Sequence, residues 1–263
     1  MLEVVNVKKT FHLDDNPEND KRALNGVSLT LNEGDFVSVI GSNGSGKTTL
    51  LNLIAGVFPM DEGSILLNGK DISSLPVHKR AKFMGRVFQD PMTGTIADIS
   101  LFENLSIASR RGKKQSPFRW ALTKQSEQEF VKLLEPLGLG LEKRLNAPMG
   151  TFSGGQRQSV TLLMATLSKP EVLLLDEHTA ALDPATAKTV MELTNKIVSE
   201  SKIPTLMITH NMKDAIKYGN RLIMMDGGKI VFECSGEEKS KLTVRDLLDK
   251  FTSGEIPDAA VLG

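Results

Sequence analysis

Cysteine is nearly absent from this 263-residue chain: Cys234 stands alone, so no internal disulfide can form and nothing points to an oxidising compartment. Aromatic residues make up only 5%, with one Trp and one Tyr, and neither charge is in surplus, 32 basic side chains facing 32 acidic ones. Zero net charge excludes a surface built for bulk nucleic acid, which needs an excess of Lys and Arg. Nowhere do apolar residues run for the ~18 positions of a spanning helix, and the opening MLEVVNVKKTF lacks the apolar stretch of a signal peptide. The expectation is a cytosolic chain that does not itself cross a membrane. Internal repeats and low-complexity tracts are missing too. What is present is 40% apolar residues over a length that suits one large domain or two small ones, enough to bury a core.

Apolar alternation predicts strands over 2–7, 27–31 and 36–40, with the polar DDNPENDKR as a surface loop between the first two. Helical spacing follows over 47–55, and GSILLNGKDI reads as a hairpin around Asn68-Gly69, a pair suited to a type I′ turn. A short strand is expected over 83–87, then helices between 100 and 137 around the basic interruption RRGKKQSPFRW. Beyond Ser153 the pattern alternates helix 156–167, strand 172–176, helix 184–200, strand 205–209 and helix 212–218. Strands 221–225 and 229–234 flank Asp226-Gly227-Gly228, and a short amphipathic helix is expected over 244–251. Alternating strands and helices imply an α/β fold with a mostly parallel sheet.

After the apolar FVSVI comes GSNGSGKTT, in which Gly41, Gly46, Lys47 and Thr48 match G-x-x-x-x-G-K-[ST]. By composition such a match arises by chance in roughly one chain of this length in a hundred, and a strand before it and a helix after it make chance rarer still. Glycines let successive backbone N–H groups point inward at phosphates, and the following helix adds its positive N-terminal end. Lys47 supplies a point charge to the β- and γ-phosphates, and the Thr48 hydroxyl is placed to ligate Mg²⁺. Further on, VLLL runs into Asp176-Glu177, a buried strand ending in two carboxylates at the sheet edge where open α/β sheets bind ligands. Asp176 is placed to hold Mg²⁺ and Glu177 to orient or deprotonate an attacking water. Standing alone, the pair would read as carboxylates capping a core strand.

The class of machine is narrowed by Thr151-Phe152-Ser153-Gly154-Gly155-Gln156-Arg157 ahead of a long apolar helix. Ser153 is a good N-cap, and the two glycines expose backbone donors at a helix N-terminus, a second anion site. The stretch resembles the signature motif of the ATP-binding cassette family, and the family's other motifs appear in its order over about residues 1–235. Gln89 looks like its Q-loop glutamine, Ala181-Leu182-Asp183 like its D-loop, His210 like its switch histidine, and Phe11 like the aromatic residue that stacks on adenine.

That resemblance implies a P-loop NTPase (RecA-like) core with an N-terminal antiparallel β subdomain, a helical subdomain inserted at about 91–160, and a short tail over 236–263. It implies an ATPase whose cofactors are ATP and Mg²⁺, working as a head-to-tail pair with a second ATPase subunit. Phe11 then stacks on the base; Gly41, Ser42, Asn43, Gly44, Ser45, Gly46, Lys47, Thr48 and Thr49 bind phosphates; Thr48, Gln89 and Asp176 serve Mg²⁺. Glu177 activates water, His210 contacts the γ-phosphate, and Ser153, Gly154, Gly155, Gln156 and Asp183 act across the interface. DEHTAALDP with SGGQRQSVTLLMATLSKP is similar to ATPases of amino-acid importers of the tryptophan and tyrosine type. This implies a separate transmembrane permease, a substrate-binding protein, and a peripheral position at the cytoplasmic face of the membrane, with no nucleic acid.

Other classes fit less well. Asn195-Lys196-Ile197-Val198 lacks the Asp of a guanine-reading motif, a small-molecule kinase needs no Ser-Gly-Gly element, and cassette ATPases of translation or DNA repair carry paired cassettes or coiled coils. An exporter ATPase remains an alternative. Two departures from the family pattern stand out: Phe152 where Leu is common, and His178 where Pro usually follows Glu. The latter frees the backbone and adds a titratable ring beside Glu177.

Arg110, Arg111, Lys113, Lys114, Arg119 and Lys124 form a basic run with Trp120 and no acid between its ends. A solvated charged segment is the plain reading of such a run; the alternative is a patch of the helical subdomain that faces the permease and anionic lipid, where each cation contributes about 1 kcal/mol. Reversing these charges is therefore expected to lower the share of the chain that sediments with membranes. A complex that assembles and transports normally after reversal contradicts a lipid-facing role.

Overall fold

The computed structural model describes residues 1–12, 14, 16, 19–112 and 123–252. In chain order come strands β1 (Leu2–Phe11), β2 (Lys21–Leu31) and β3 (Phe36–Gly41), helix α1 (Lys47–Ala55), strands β4 (Glu62–Leu67) and β5 (Lys70–Asp71), helix α2 (Val77–Arg80) and strand β6 (Met84–Val87). Helices α3 (Leu101–Ser109), α4 (Lys124–Leu134) and α5 (Gly154–Thr166) follow, then strand β7 (Val172–Asp176), helix α6 (Pro184–Ser201) and strand β8 (Thr205–Ile208). Helix α7 (Met212–Lys217), strands β9 (Arg221–Asp226) and β10 (Lys229–Ser235), and helices α8 (Gly236–Lys241) and α9 (Val244–Thr252) complete the described chain. The elements form two compact units, Met1–Arg80 with Lys202–Gly263, and Ala81–Ser201. Among the described residues no helix is long and apolar enough to cross a membrane.

In the first unit an antiparallel sheet runs β2-β1-β4-β5. Pairing carries β1 and β2 beyond their apolar stretches: Lys8↔Asn25, Thr10↔Arg22 and Phe11↔Lys21 continue the ladder where alternation has ceased. Ladder hydrogen bonds do not depend on side-chain polarity, so strand ends outrun the hydrophobic signal. The Asn68-Gly69 hairpin is as expected, with φ of 49° and 74° and Leu67 paired to Lys70. The unit's second sheet segment runs β10-β9-β3-β8, with β3 parallel to both β8 and β9. Five consecutive buried residues fill β3. A cluster of Ile40, Ala215, Leu222, Met224, Cys234, Leu247 and Phe251 brings α7 and α9 against this sheet, so the Cys234 thiol is a core group.

Two buried cations tie this unit together through main-chain carbonyls. Arg80, 1% exposed, donates from Nη1 to Leu53 O and Ile54 O, from Nε to Leu75 O and from Nη2 to Ser73 O, each at 2.8 Å. It thereby caps the C-terminal turn of α1, where orphan carbonyls and the helix dipole favour a cation. Lys239, 3% exposed, donates to Ile216 O, Tyr218 O and Gly219 O at 3.0, 2.6 and 2.8 Å, pinning α8 to the end of α7.

The second unit holds a parallel pair, β6 and β7, with Val87 opposite Leu175. Its helical core gathers Leu101, Leu105, Phe130, Leu134, Leu141, Leu145, Met149, Phe152, Val160 and Leu163. Helix α3 starts on a capping box between Ser100 and Glu103. Phe152 is buried in this core and its ring carries the Arg144 guanidinium 4.2 Å from its centroid, so the larger side chain is absorbed by packing. Of the basic run, Lys113, Lys114, Arg119 and Trp120 lie outside the described residues. Arg111 does not project outward: it donates from Nη2 to Ala165 O at 2.5 Å and to Ser168 Oγ at 2.9 Å, at the end of α5.

Because Arg80 satisfies four carbonyls, Arg80→Met is expected to lower unfolding stability by about 3 kcal/mol. The denaturant midpoint measures it. A shift no larger than that of an exposed Arg→Met variant contradicts the capping role.

Candidate functional site

The phosphate loop follows from β3 and α1. Gly41 and Gly46 adopt φ of 155° and 101°, and a Cβ would sit 2.2 Å from Met225 O at the first and 2.4 Å from Ala23 O at the second. No larger residue fits without moving backbone. Gly46 is the N-cap of α1 and offers no side chain, so the helix starts without a side-chain cap and its first N–H groups remain for an anion. Lys47 is 5% exposed, and its Nζ donates to Gly41 O at 2.8 Å and Ser42 O at 2.9 Å. Ser45 Oγ is buried with no hydrogen-bond partner among the described residues. Ser42 Oγ donates to Asp226 Oδ1 at 3.2 Å, holding the loop against the end of β9. Asn43, Gly44 and Thr48 are exposed, and Thr49 is half-buried.

Phe11 closes β1 with its ring 5.4 Å from that of Phe58, edge to face, and with Lys9 Nζ 5.6 Å from its centroid. Asp61 accepts from Lys9 Nζ at 2.7 Å and from the Thr10 N–H at 2.6 Å, which fixes the strand end that carries the ring. His210 is exposed beyond β8, whose Ile208 lies opposite Val39, so it leaves the sheet at the edge where β3 enters the phosphate loop. Phe11, the loop and His210 thus all belong to the first unit.

The remaining site residues belong to the second. Gln89 is exposed just past β6, and Gln158 Nε2 steadies the preceding residue by donating to Phe88 O at 3.0 Å. Asp176 ends β7, and Arg86 Nη2 donates to its Oδ2 at 3.2 Å. Glu177 has φ of 47°, an uncommon conformation for a residue with a side chain and one that gathers at functional positions. Ser153 caps α5 by accepting from the Gln156 N–H at 3.3 Å, while Gln156 Oε1 accepts from the Ser153 N–H at 3.1 Å. Gly154 is exposed, whereas Gly155 is buried, and a Cβ there would lie 2.0 Å from Thr186 Cγ2. Close packing against α6 requires that glycine. Asp183 caps α6, its Oδ1 accepting from the Thr186 N–H at 3.1 Å, and hydrogen bonding from the Thr186 side chain, then from its backbone, holds the carboxyl below the usual range.

The residue types in each unit suit a magnesium nucleotide. Thr48 and Asp176 are hard oxygen donors, and no cluster of three or more His, Cys, Asp or Glu fit for a metal exists among the described residues. Mg²⁺ needs no such cage, since it takes one or two protein ligands and completes its shell with phosphates and water. The orphaned Ser45 hydroxyl and the Lys47 ammonium folded onto its own loop are both groups that phosphate oxygens would satisfy. Arg86 and Gln158 escape sequence inspection, because nothing in spacing or composition ties them to the motifs they support.

A profile of the ABC transporter family matches residues 24–180. Among similar proteins is the tyrosine transport ATP-binding protein of Clostridioides difficile (strain R20291), 45% identical over 252 residues that cover 95% of this chain and 98% of the relative. The methionine import ATP-binding protein MetN of Clostridium tetani (strain Massachusetts / E88) is 33% identical across 88% of this chain and 68% of its own. Among solved structures, the ADP conformation of the ATP-binding cassette MJ1267 matches with a TM-score of 0.77 at 29% identity, covering 97% of this chain and 99% of that one. A dimeric post-hydrolysis state of the ATP-binding cassette MJ0796, bound to ADP and Pi, matches with a TM-score of 0.75 at 27% identity, covering 89% and 98%.

His178, beside Glu177, is 1% exposed, with Nε2 3.0 Å from Thr194 Oγ1. The Thr194 hydroxyl already donates to Val190 O at 2.8 Å, so His178 Nε2 is the donor in this pair. Burial depresses the imidazole to about 4. The unfolded chain therefore takes up a proton that the folded chain refuses between pH 6.5 and about 4, and stability falls as pH drops through that window. Between pH 7 and pH 5 the loss is about 2 kcal/mol. Urea unfolding at the two pH values is expected to show it, and His178→Gln to remove most of it; an unchanged difference in the variant would assign the pH dependence elsewhere.

Proposed function

The chain belongs to the ABC transporter family of ATPases, and from that premise we propose that it powers import of an amino acid of the tyrosine type through a separate transmembrane permease. The hydrolysing subunit has the family's P-loop fold. The observation that carries the substrate class is the 45% identity, along nearly the full length of both chains, to a protein named for tyrosine transport. Resemblance to the methionine import protein supports the inward direction. The nucleotide-binding cassette spans 1–235 with its helical subdomain at about 91–160, and 236–263 forms the tail. The chain sits at the cytoplasmic face of the membrane, bound to the permease, which receives its substrate from a binding protein.

In this reading Phe11, which closes β1 beside Phe58, stacks on the adenine. The backbone N–H groups from Gly41 to Thr49 and the start of α1 bind the phosphates, and Lys47 turns from its loop carbonyls to the β- and γ-phosphates. Thr48, Gln89 and Asp176 hold Mg²⁺, which when bound neutralises charge on the phosphate oxygens. Glu177, set apart by its backbone, accepts the proton of the attacking water, and His210 donates to the γ-phosphate. Ser153, Gly154, Gly155, Gln156 and Asp183 contribute from a second copy of the subunit, head to tail with the first; the dimeric MJ0796 cassette supports such a pair.

Glu177→Gln is expected to keep ATP affinity, lower turnover by at least about a hundredfold and accumulate an ATP-bound dimer. Gel filtration with ATP and single-turnover hydrolysis measure both. Undiminished hydrolysis removes Glu177 from the catalytic role.

A further inference from the structure

Within the second unit, Arg86 is held in a way that the proposed roles leave unused. It lies on β6 opposite Leu174 of β7, so its side chain reaches the carboxylate two residues further along the neighbouring strand. The Arg86–Asp176 side chains are only 18% and 14% exposed. The contact is a single bond at 3.2 Å through Oδ2, and Arg86 Nε is buried without a hydrogen-bond partner among the described residues. The guanidinium also stands 4.6 Å from the centroid of Phe88, the residue before Gln89.

Arg80 shows what a settled arginine looks like in this fold, with four bonds at 2.8 Å. Arg86 has one long bond and an unsatisfied donor, a poor clamp but an effective neutralising charge for a carboxylate removed from water. A divalent ion arriving at Asp176 meets that cation and has to share the carboxylate with it or displace it. The face of Phe88 offers the guanidinium a second, charge-compatible resting place.

We propose that Arg86 is the counter-cation of Asp176: it neutralises the carboxylate in the metal-free state and competes with Mg²⁺ for it, so that Arg86 sets how much Mg²⁺ the site requires. Arg86 is on this account a positioning residue. The inference rests on Asp176 being the magnesium carboxylate.

The test is a Mg²⁺ titration of the full chain in constant excess ADP, read by the thermal unfolding midpoint so that no turnover is involved. Pairing of Mg²⁺ with ADP in solution is common to every variant, so differences between variants report the site. Arg86→Met and Arg86→Gln are expected to lower the Mg²⁺ concentration for half-maximal stabilisation roughly three- to tenfold, and to unfold earlier than the wild type when Mg²⁺ is absent. Arg86→Lys, which keeps the charge, should stay within about twofold of the wild type. Asp176→Asn should raise the Mg²⁺ requirement, and adding Arg86→Met to it should then change nothing further. If Asp176→Asn shifts the titration but both neutral Arg86 variants leave it unchanged or raise it, the counter-cation is overturned while the magnesium site stands. If Asp176→Asn shifts nothing, the reading of Asp176 itself fails, and the inference with it.

Discussion

The Lys47 ammonium is almost wholly withdrawn from water, and it donates to the carbonyls of Gly41 and Ser42, residues of its own loop. Carbonyl oxygens lined up on the ammonium offset part of the cost of burying it, and the same position suits anionic oxygens. Everything around the loop serves that arrangement. The buried β3 delivers the chain to the turn, Gly41 and Gly46 permit the backbone path, and α1 begins where its uncapped N–H groups add to the same positive field.

Carbonyl-bound cations recur where the fold must stay put. Arg80 seals the far end of α1, and Lys239 fixes the turn after α7, each by three or more short bonds. Arg111 does the same for α5 and is thereby withdrawn from any lipid-facing set. Arg86 differs: it faces a carboxylate, is bonded once, and keeps a donor unsatisfied. The contrast separates cations that hold structure from one whose partner can change.

Much of this is legible in the sequence, for physical reasons that differ by element. The phosphate loop is legible because its chemistry demands residue types at set spacing, and β3, α1 and β7 because continuous burial or helical periodicity is written directly in their residues. The outer halves of β1 and β2 are not, since backbone pairing extends them through Lys8, Lys9 and Lys21. His178 looks like a titratable neighbour of Glu177, whereas tertiary packing makes it a neutral core group bonded to Thr194. The steric demand at Gly155 is equally hidden, because Thr186 meets it only once α6 is folded.

The proposed amino-acid import requires this chain to act in company with a permease. The most direct measurement is uptake of labelled tyrosine by proteoliposomes containing the detergent-purified complex of this chain with its permease and binding protein, with MgATP supplied on the side the chain faces. Accumulation that needs MgATP and is out-competed by excess unlabelled tyrosine is the predicted result. Brisk ATP hydrolysis by the complex with no tyrosine movement, whichever side the nucleotide is supplied on, would contradict the account.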